Sequence, residues 1–131
     1  MEQKKIALKL MLILLFLVVF FHLSVIFEMV SYKIVWAGKI NSLEEMRVLE
    51  SISILINMLL IVVLSIKYKN INNNTSSRAI DIIIWIFVFV FALNTFGNLF
   101  ATSWIEFILG TVLTGISSIL CWVIVRKRKS I

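Results

Sequence analysis

The sequence predicts an all-α fold: an antiparallel four-helix transmembrane bundle with both termini cytoplasmic. Three observations predict it. Four long apolar stretches, 10–27, 49–66, 82–100 and 105–125, alternate with short polar segments. At ~1.5 Å per helical residue, each covers about the 30 Å hydrocarbon core of a bilayer. Ten of the thirteen Lys and Arg residues lie on one side of these stretches: Lys4, Lys5, Lys9, Lys67, Lys69, Arg78 and the run 126–129. The other side holds only Lys33, Lys39 and Arg47, together with five of the seven acids. Basic residues in short loops resist translocation, so the rich side is cytoplasmic. Finally, Trp36 and Trp104 flank one boundary, with Trp85 and Trp122 near the other. Amphipathic indoles settle at that headgroup level.

Taken in order, the first span covers about 8–29, after Lys4 and Lys5. That arrangement imitates a secretory signal. No small-x-small cleavage site follows, because Phe21-His22-Leu23-Ser24 runs into further apolar residues, so the span reads as uncleaved. The outer loop 31–48 is the longest connection. Within it Ser42-Leu43-Glu44-Glu45 has the capping-box form and starts helix two near Leu43. No breaker interrupts that helix through its span at 49–66. The inner loop 68–78 is an Asn- and Ser-rich connection, and its two glycosylation-like sequons read as chance in a cytoplasmic segment. Spans three and four, at 80–100 and 105–125, are joined by a very short outer connection that makes them a hairpin. Proline is absent and only four glycines occur, so broken or re-entrant helices are not expected.

Composition bounds the function. With 61% hydrophobic residues in 131 positions, the chain is one integral membrane domain, 1–131. The net charge of +6 sits in juxtamembrane segments, where it meets lipid headgroups rather than nucleic acid. The single cysteine, Cys121, lies inside the last span as a small packing residue. Metalloprotease, nucleophile-elbow and phosphate-loop patterns are all missing, so an enzyme is not expected. No cofactor is implied.

The polar residues within the spans cluster at one depth. His22, Glu50, Asn57, Asn94, Asn98 and Glu106 fall in the outer parts of four different spans, His22, Asn57 and Asn94 at roughly 6–10 Å below the surface. Glu50 and Asn57 are seven apart and share a helix face, and Asn94 and Asn98 are four apart. Gly110, Thr114 and Ser118 form a small-xxx-small stripe along span four for close packing on span three or two. Two readings stand. The six polar residues line one outward-facing pocket, or they are interhelical hydrogen-bonding glue. A lone histidine with carboxylate and amide neighbours is not a metal site.

Three segments carry a resemblance: Trp36-Ala37-Gly38-Lys39, Glu50-Ser51-Ile52-Ser53 with Asn57, and Asn94-Thr95-Phe96-Gly97-Asn98-Leu99. Through them the chain resembles an uncharacterised group of small four-span membrane proteins from low-GC Gram-positive bacteria. The resemblance implies a bacterial cytoplasmic membrane and no particular activity. Four glycines are too few for the fluoride-channel pattern, and Glu28 stands at the end of its span rather than mid-span as in small multidrug transporters.

The first functional reading is binding or sensing of a small ligand, lipid or peptide through the polar pocket. An accessory or immunity protein acting on a membrane protein or peptide partner is the alternative. A proton- or ion-coupled transporter subunit comes third, and the polar groups stop halfway across for it. Oligomeric state is open.

Overall fold

The computed structural model describes residues 1–36 and 39–127. Ala37 and Gly38 of the tryptophan-containing segment, and Arg128 and Lys129 of the basic run, lie outside the described residues. Among the described residues the fold is all-helical, with four helices long and apolar enough to cross a membrane.

Helix α1 is Glu2–Ile26. It begins earlier than its apolar stretch because nothing in Glu2-Gln3-Lys4-Lys5 breaks a helix. It ends in a Schellman turn: Met29 N–H donates to Ser24 O and Glu28 N–H to Val25 O, with Glu28 in the left-handed region at φ 61. A short 3₁₀ turn, Tyr32–Ile34, follows.

Helix α2 is Leu43–Asn72. Ser42 Oγ accepts from Glu45 N–H at 3.1 Å, and Glu45 Oε2 accepts from Asn41 N–H at 3.1 Å. The first bond satisfies one of the helix's orphan donors, and the second ties Glu45 back to the residue before the cap, one position ahead of the Ser42 amide that a capping box engages. The helix outruns its apolar stretch by several residues and stops at a second Schellman turn. There Thr75 N–H donates to Asn70 O, with Asn74 at φ 54. Asparagine tolerates this conformation well.

Helix α3 is Arg78–Asn98, capped by Ser77. A π-helical turn, Glu106–Gly110, leads directly into α4, Thr111–Val125. The wide turn shifts Glu106 relative to the stripe beyond it, and the span stays continuously helical from Glu106 to Val125.

The helices form a closed ring. α3 packs along α4, α1 packs on both α2 and α4, and α2 touches α3 more lightly. One face of α2 shows how sequence dictates this packing. Met46, Glu50, Ser53, Asn57, Leu60, Leu64, Lys67 and Ile71 recur at alternating four- and three-residue steps, and all are buried or half-buried. Such spacing keeps one seam of a helix against its neighbours. The main apolar core gathers around Leu8, Met11, Leu15, Leu60, Leu64 and Ile84. A smaller core of Val25, Val35, Ile40 and Met46 lies under the 27–42 loop.

Large apolar side chains such as Phe20 and Leu93 are about 70% exposed, 68% and 71%. In water a surface of this kind aggregates. Against lipid tails it is the expected exterior, and it completes the picture of a multi-pass membrane protein.

Candidate functional site: a buried carboxylate at the loop end

Met46 and Glu50 lie one turn apart on α2, so the face that buries Met46 also buries Glu50. Glu50 is only 1% exposed. Its two oxygens are held from different directions. His22 Nδ1, from α1, lies 2.5 Å from Oε2, and Trp36 Nε1–H, from the loop, donates to Oε1 at 2.7 Å. An indole N–H can only donate, so Oε1 is an acceptor. An ionised carboxylate only accepts, so against it His22 Nδ1 carries the proton. Donation through Nδ1 fixes the imidazole and leaves Nε2 as its second polar atom. One carboxylate therefore joins α1, α2 and the loop.

Trp36 reaches this position at a backbone cost. Its φ of 55 is in the left-handed region, unusual for a bulky residue. Such strain costs on the order of 1–3 kcal/mol and collects at clamps and switches. Trp36 is also 38% exposed, so the indole bridges the buried carboxylate and the surroundings.

A second polar cluster joins α3 to α4. Thr114 Oγ1 donates to Gly110 O at 2.6 Å and accepts from Asn98 Nδ2 at 3.4 Å. Thr95 Oγ1 stands 2.9 Å from Thr114 Oγ1 and 2.8 Å from Phe91 O, so its single proton serves one acceptor at a time. Ser118 Oγ donates to Val88 O across the interface at 2.9 Å. The Gly110/Thr114/Ser118 stripe thus faces α3. A Cβ on Gly110 would meet the Asn98 amide at 2.8–2.9 Å, which shows how closely the two helices approach. Thr111 Oγ1, just beyond the π-turn, is buried without a hydrogen-bond partner.

The six residues expected in one polar layer are distributed as follows. His22 and Glu50 are in contact with each other. Asn98 belongs to the α3–α4 cluster, and Asn57 Nδ2 donates to Ser53 O of its own helix at 2.7 Å. Asn94 is exposed, and Glu106 is half-buried in the π-turn. Of the six, His22 and Glu50 thus belong to one cluster on α1 and α2, and Asn98 to another on α3 and α4. Sequence reasoning placed Trp36 at the interface as an anchor and missed its bond to Glu50. It also missed the ion pair between Lys67 Nζ and Asp81 Oδ1, 2.5 Å apart, which links α2 to α3 at the opposite end. The α2 seam was the available signal, because Lys67 falls on it in step with Glu50 and Leu64. Among the described residues, no group of three or more His, Cys, Asp or Glu side chains is placed to hold a metal ion.

These features define a helical-bundle membrane protein with a carboxylate-centred latch at its loop end. No protein-family model, curated protein or solved structure matches the chain.

Proposed function

We propose that the protein crosses the cell membrane four times in antiparallel order with both termini cytoplasmic, and that its outward end recognises a ligand. The ten-to-three distribution of basic residues supports the orientation. The ligand is a small molecule, a lipid headgroup or a peptide, met by the His22–Glu50–Trp36 cluster.

One observation carries this reading: a carboxylate 1% exposed within a membrane bundle, held by donors from a neighbouring helix and from a loop. Ionisable groups are costly inside membranes and are retained where they bind or switch. A ligand that competes for the Glu50 carboxylate or engages His22 releases Trp36 from its strained position. Binding then shifts the population of loop conformations, which is a signal another protein can read.

The test uses protein whose only tryptophan is Trp36, with Trp85, Trp104 and Trp122 changed to Phe, reconstituted in phosphatidylcholine vesicles. The probes are a lysine-rich amphipathic peptide, a glutamate-rich peptide of the same apolar pattern, and phosphatidylglycerol added to the vesicles. At least one probe is expected to shift Trp36 emission saturably, and Glu50→Gln to abolish the shift while the helical content stays unchanged. Emission indifferent to all three probes, or shifts that survive Glu50→Gln, would refute recognition at this cluster and leave it a structural link.

A second reading has its own observation. Asn94 is an exposed amide within an apolar helix, about one turn from the end of α3 at Asn98. An amide facing lipid lacks partners, so an accessory protein that docks on another membrane helix through this face accounts for it. Asn94→Cys should then cross-link to a neighbour in native membranes, whereas Leu93→Cys should do so less. The apolar core below the polar clusters lends no support to a conducting path through a single copy.

A further inference from the structure

We propose that the groove between the first turn of α1 and the last turn of α4 is a binding site for the phosphate of an anionic phospholipid. It lies at the basic end, away from the latch, and does not depend on the recognition reading above.

The groove encloses a cavity of about 430 Å³ lined by Gln3, Lys4, Trp122, Val123, Arg126 and Lys127. Three of these are cations, and no acidic residue lines it. Arg126 is held beside the groove by two contacts. Its Nη2 donates to Gln3 Oε1 at 3.3 Å, and its guanidinium lies 4.8 Å above the Trp122 ring. A guanidinium fixed in this way presents a planar fork of donors at little further entropic cost, the geometry that matches phosphate oxygens. Lys4 lies within electrostatic reach of Lys67, Asp81 and Arg126. Asp81, the one carboxylate in that set, is already taken by Lys67. Among the described residues, neither Lys4 nor Lys127 is within ion-pair distance of a carboxylate. The cluster therefore carries uncompensated positive charge.

Position selects a lipid as the source of the phosphate. The groove opens where membrane-spanning helices end, at the depth of headgroup phosphates, and Trp122 and Val123 offer an apolar wall to the first acyl methylenes. Basic pockets between helices at this level are suited to anionic headgroups. A diester phosphate bound here bridges α1 to α4, the first and last helices of the ring.

Native mass spectrometry of the detergent-purified protein, titrated with phosphatidylglycerol and with phosphatidylcholine of identical chains, tests the assignment. Phosphatidylglycerol is expected to be retained preferentially. Its apparent affinity should fall about fivefold for each basic side chain removed, hence roughly 25-fold in Lys4→Gln/Arg126→Gln. Lys33→Gln/Arg47→Gln, which removes two exposed cations from the other end, should leave it unchanged. In thermal unfolding, phosphatidylglycerol should raise the Tm of the native and control proteins more than that of the groove variant. Lys127→Gln, beyond the end of α4, should show the single fivefold loss and decides the matter if the double variant does not fold. Equal retention of the two lipids, or equal loss in groove and control variants, overturns the proposal. Displacement of phosphatidylglycerol by millimolar glycerol phosphate overturns the lipid assignment in favour of a soluble phosphate ester.

Discussion

Lys67 on α2 and Asp81 on α3 face each other with Nζ 2.5 Å from Oδ1, and their side chains differ sharply in burial, 9% against 35% exposed. α2 and α3 touch only lightly elsewhere, so this pair is a principal link between them. The asymmetry predicts unequal partners. Asp81→Asn leaves a buried ammonium without its counter-ion and should cost up to about 3 kcal/mol, at or below the usual range for breaking a buried pair. Lys67→Met removes the buried charge itself, and the carboxylate left behind keeps access to polar surroundings. It should cost clearly less. Thermal unfolding in detergent distinguishes the two, and a larger loss for Lys67→Met would contradict the burial argument.

The three described glycines should respond to alanine in graded fashion. At Gly97 an added Cβ meets nothing within 4 Å, and at Gly115 only Thr95 at 3.8 Å, an ordinary contact. Both alanines should be neutral or stabilising by up to about 1 kcal/mol through helix propensity. At Gly110 the same Cβ falls 2.8 Å from the Asn98 amide carbon. Because that amide ends a flexible side chain, Gly110→Ala should displace it and loosen its bond to Thr114, costing about 1 kcal/mol. In an Asn98→Ala background, where that amide is gone, Gly110→Ala should cost little more. Gly110→Leu should be far worse than Leu109→Phe, since Leu109 is 53% exposed. Unfolding midpoints of these variants check the order.

Thr111 offers the opposite sign. Its buried hydroxyl has no partner, and an unmet polar group costs roughly 1–3 kcal/mol. Thr111→Val keeps the branched shape while removing the hydroxyl, so the variant should unfold at a higher temperature than the native protein. A lower midpoint would mean that the hydroxyl is satisfied in the membrane.

Much of the fold was legible in local chemistry. Ser42 and Glu45 mark the start of α2, and the apolar stretches mark the spans. The limits have physical causes. Lys67 and Trp36 belong to residue types that serve equally as boundary anchors and as buried partners, and only the other helices decide which. Asn94 and Asn98 sit four apart, yet four residues advance about 40° beyond a full turn. Where Gly110 lets α4 come close, that angle half-buries Asn98 and exposes its neighbour. The Glu50 latch depends on a loop conformation with Trp36 at positive φ, which no periodicity encodes.

Orientation makes the last prediction. Asn41 lies just ahead of α2 and Asn73 at its far end, and both are exposed. Cys121 is buried, so it should stay silent toward a polar maleimide and leave a low background. If the basic end is cytoplasmic, Asn41→Cys should label in intact cells and Asn73→Cys only after permeabilisation. The reasoning is energetic: each Lys or Arg near a span end resists transfer across the membrane, and the connections here are short enough for that bias to act fully. Neutralising Lys67, Lys69 and Arg78 together removes three of the ten basic residues on that side. Seven still oppose three, so the labelling pattern should persist. Labelling of Asn73→Cys in intact cells expressing the otherwise native protein would invert the topology, and would place the Glu50 latch on the cytoplasmic side.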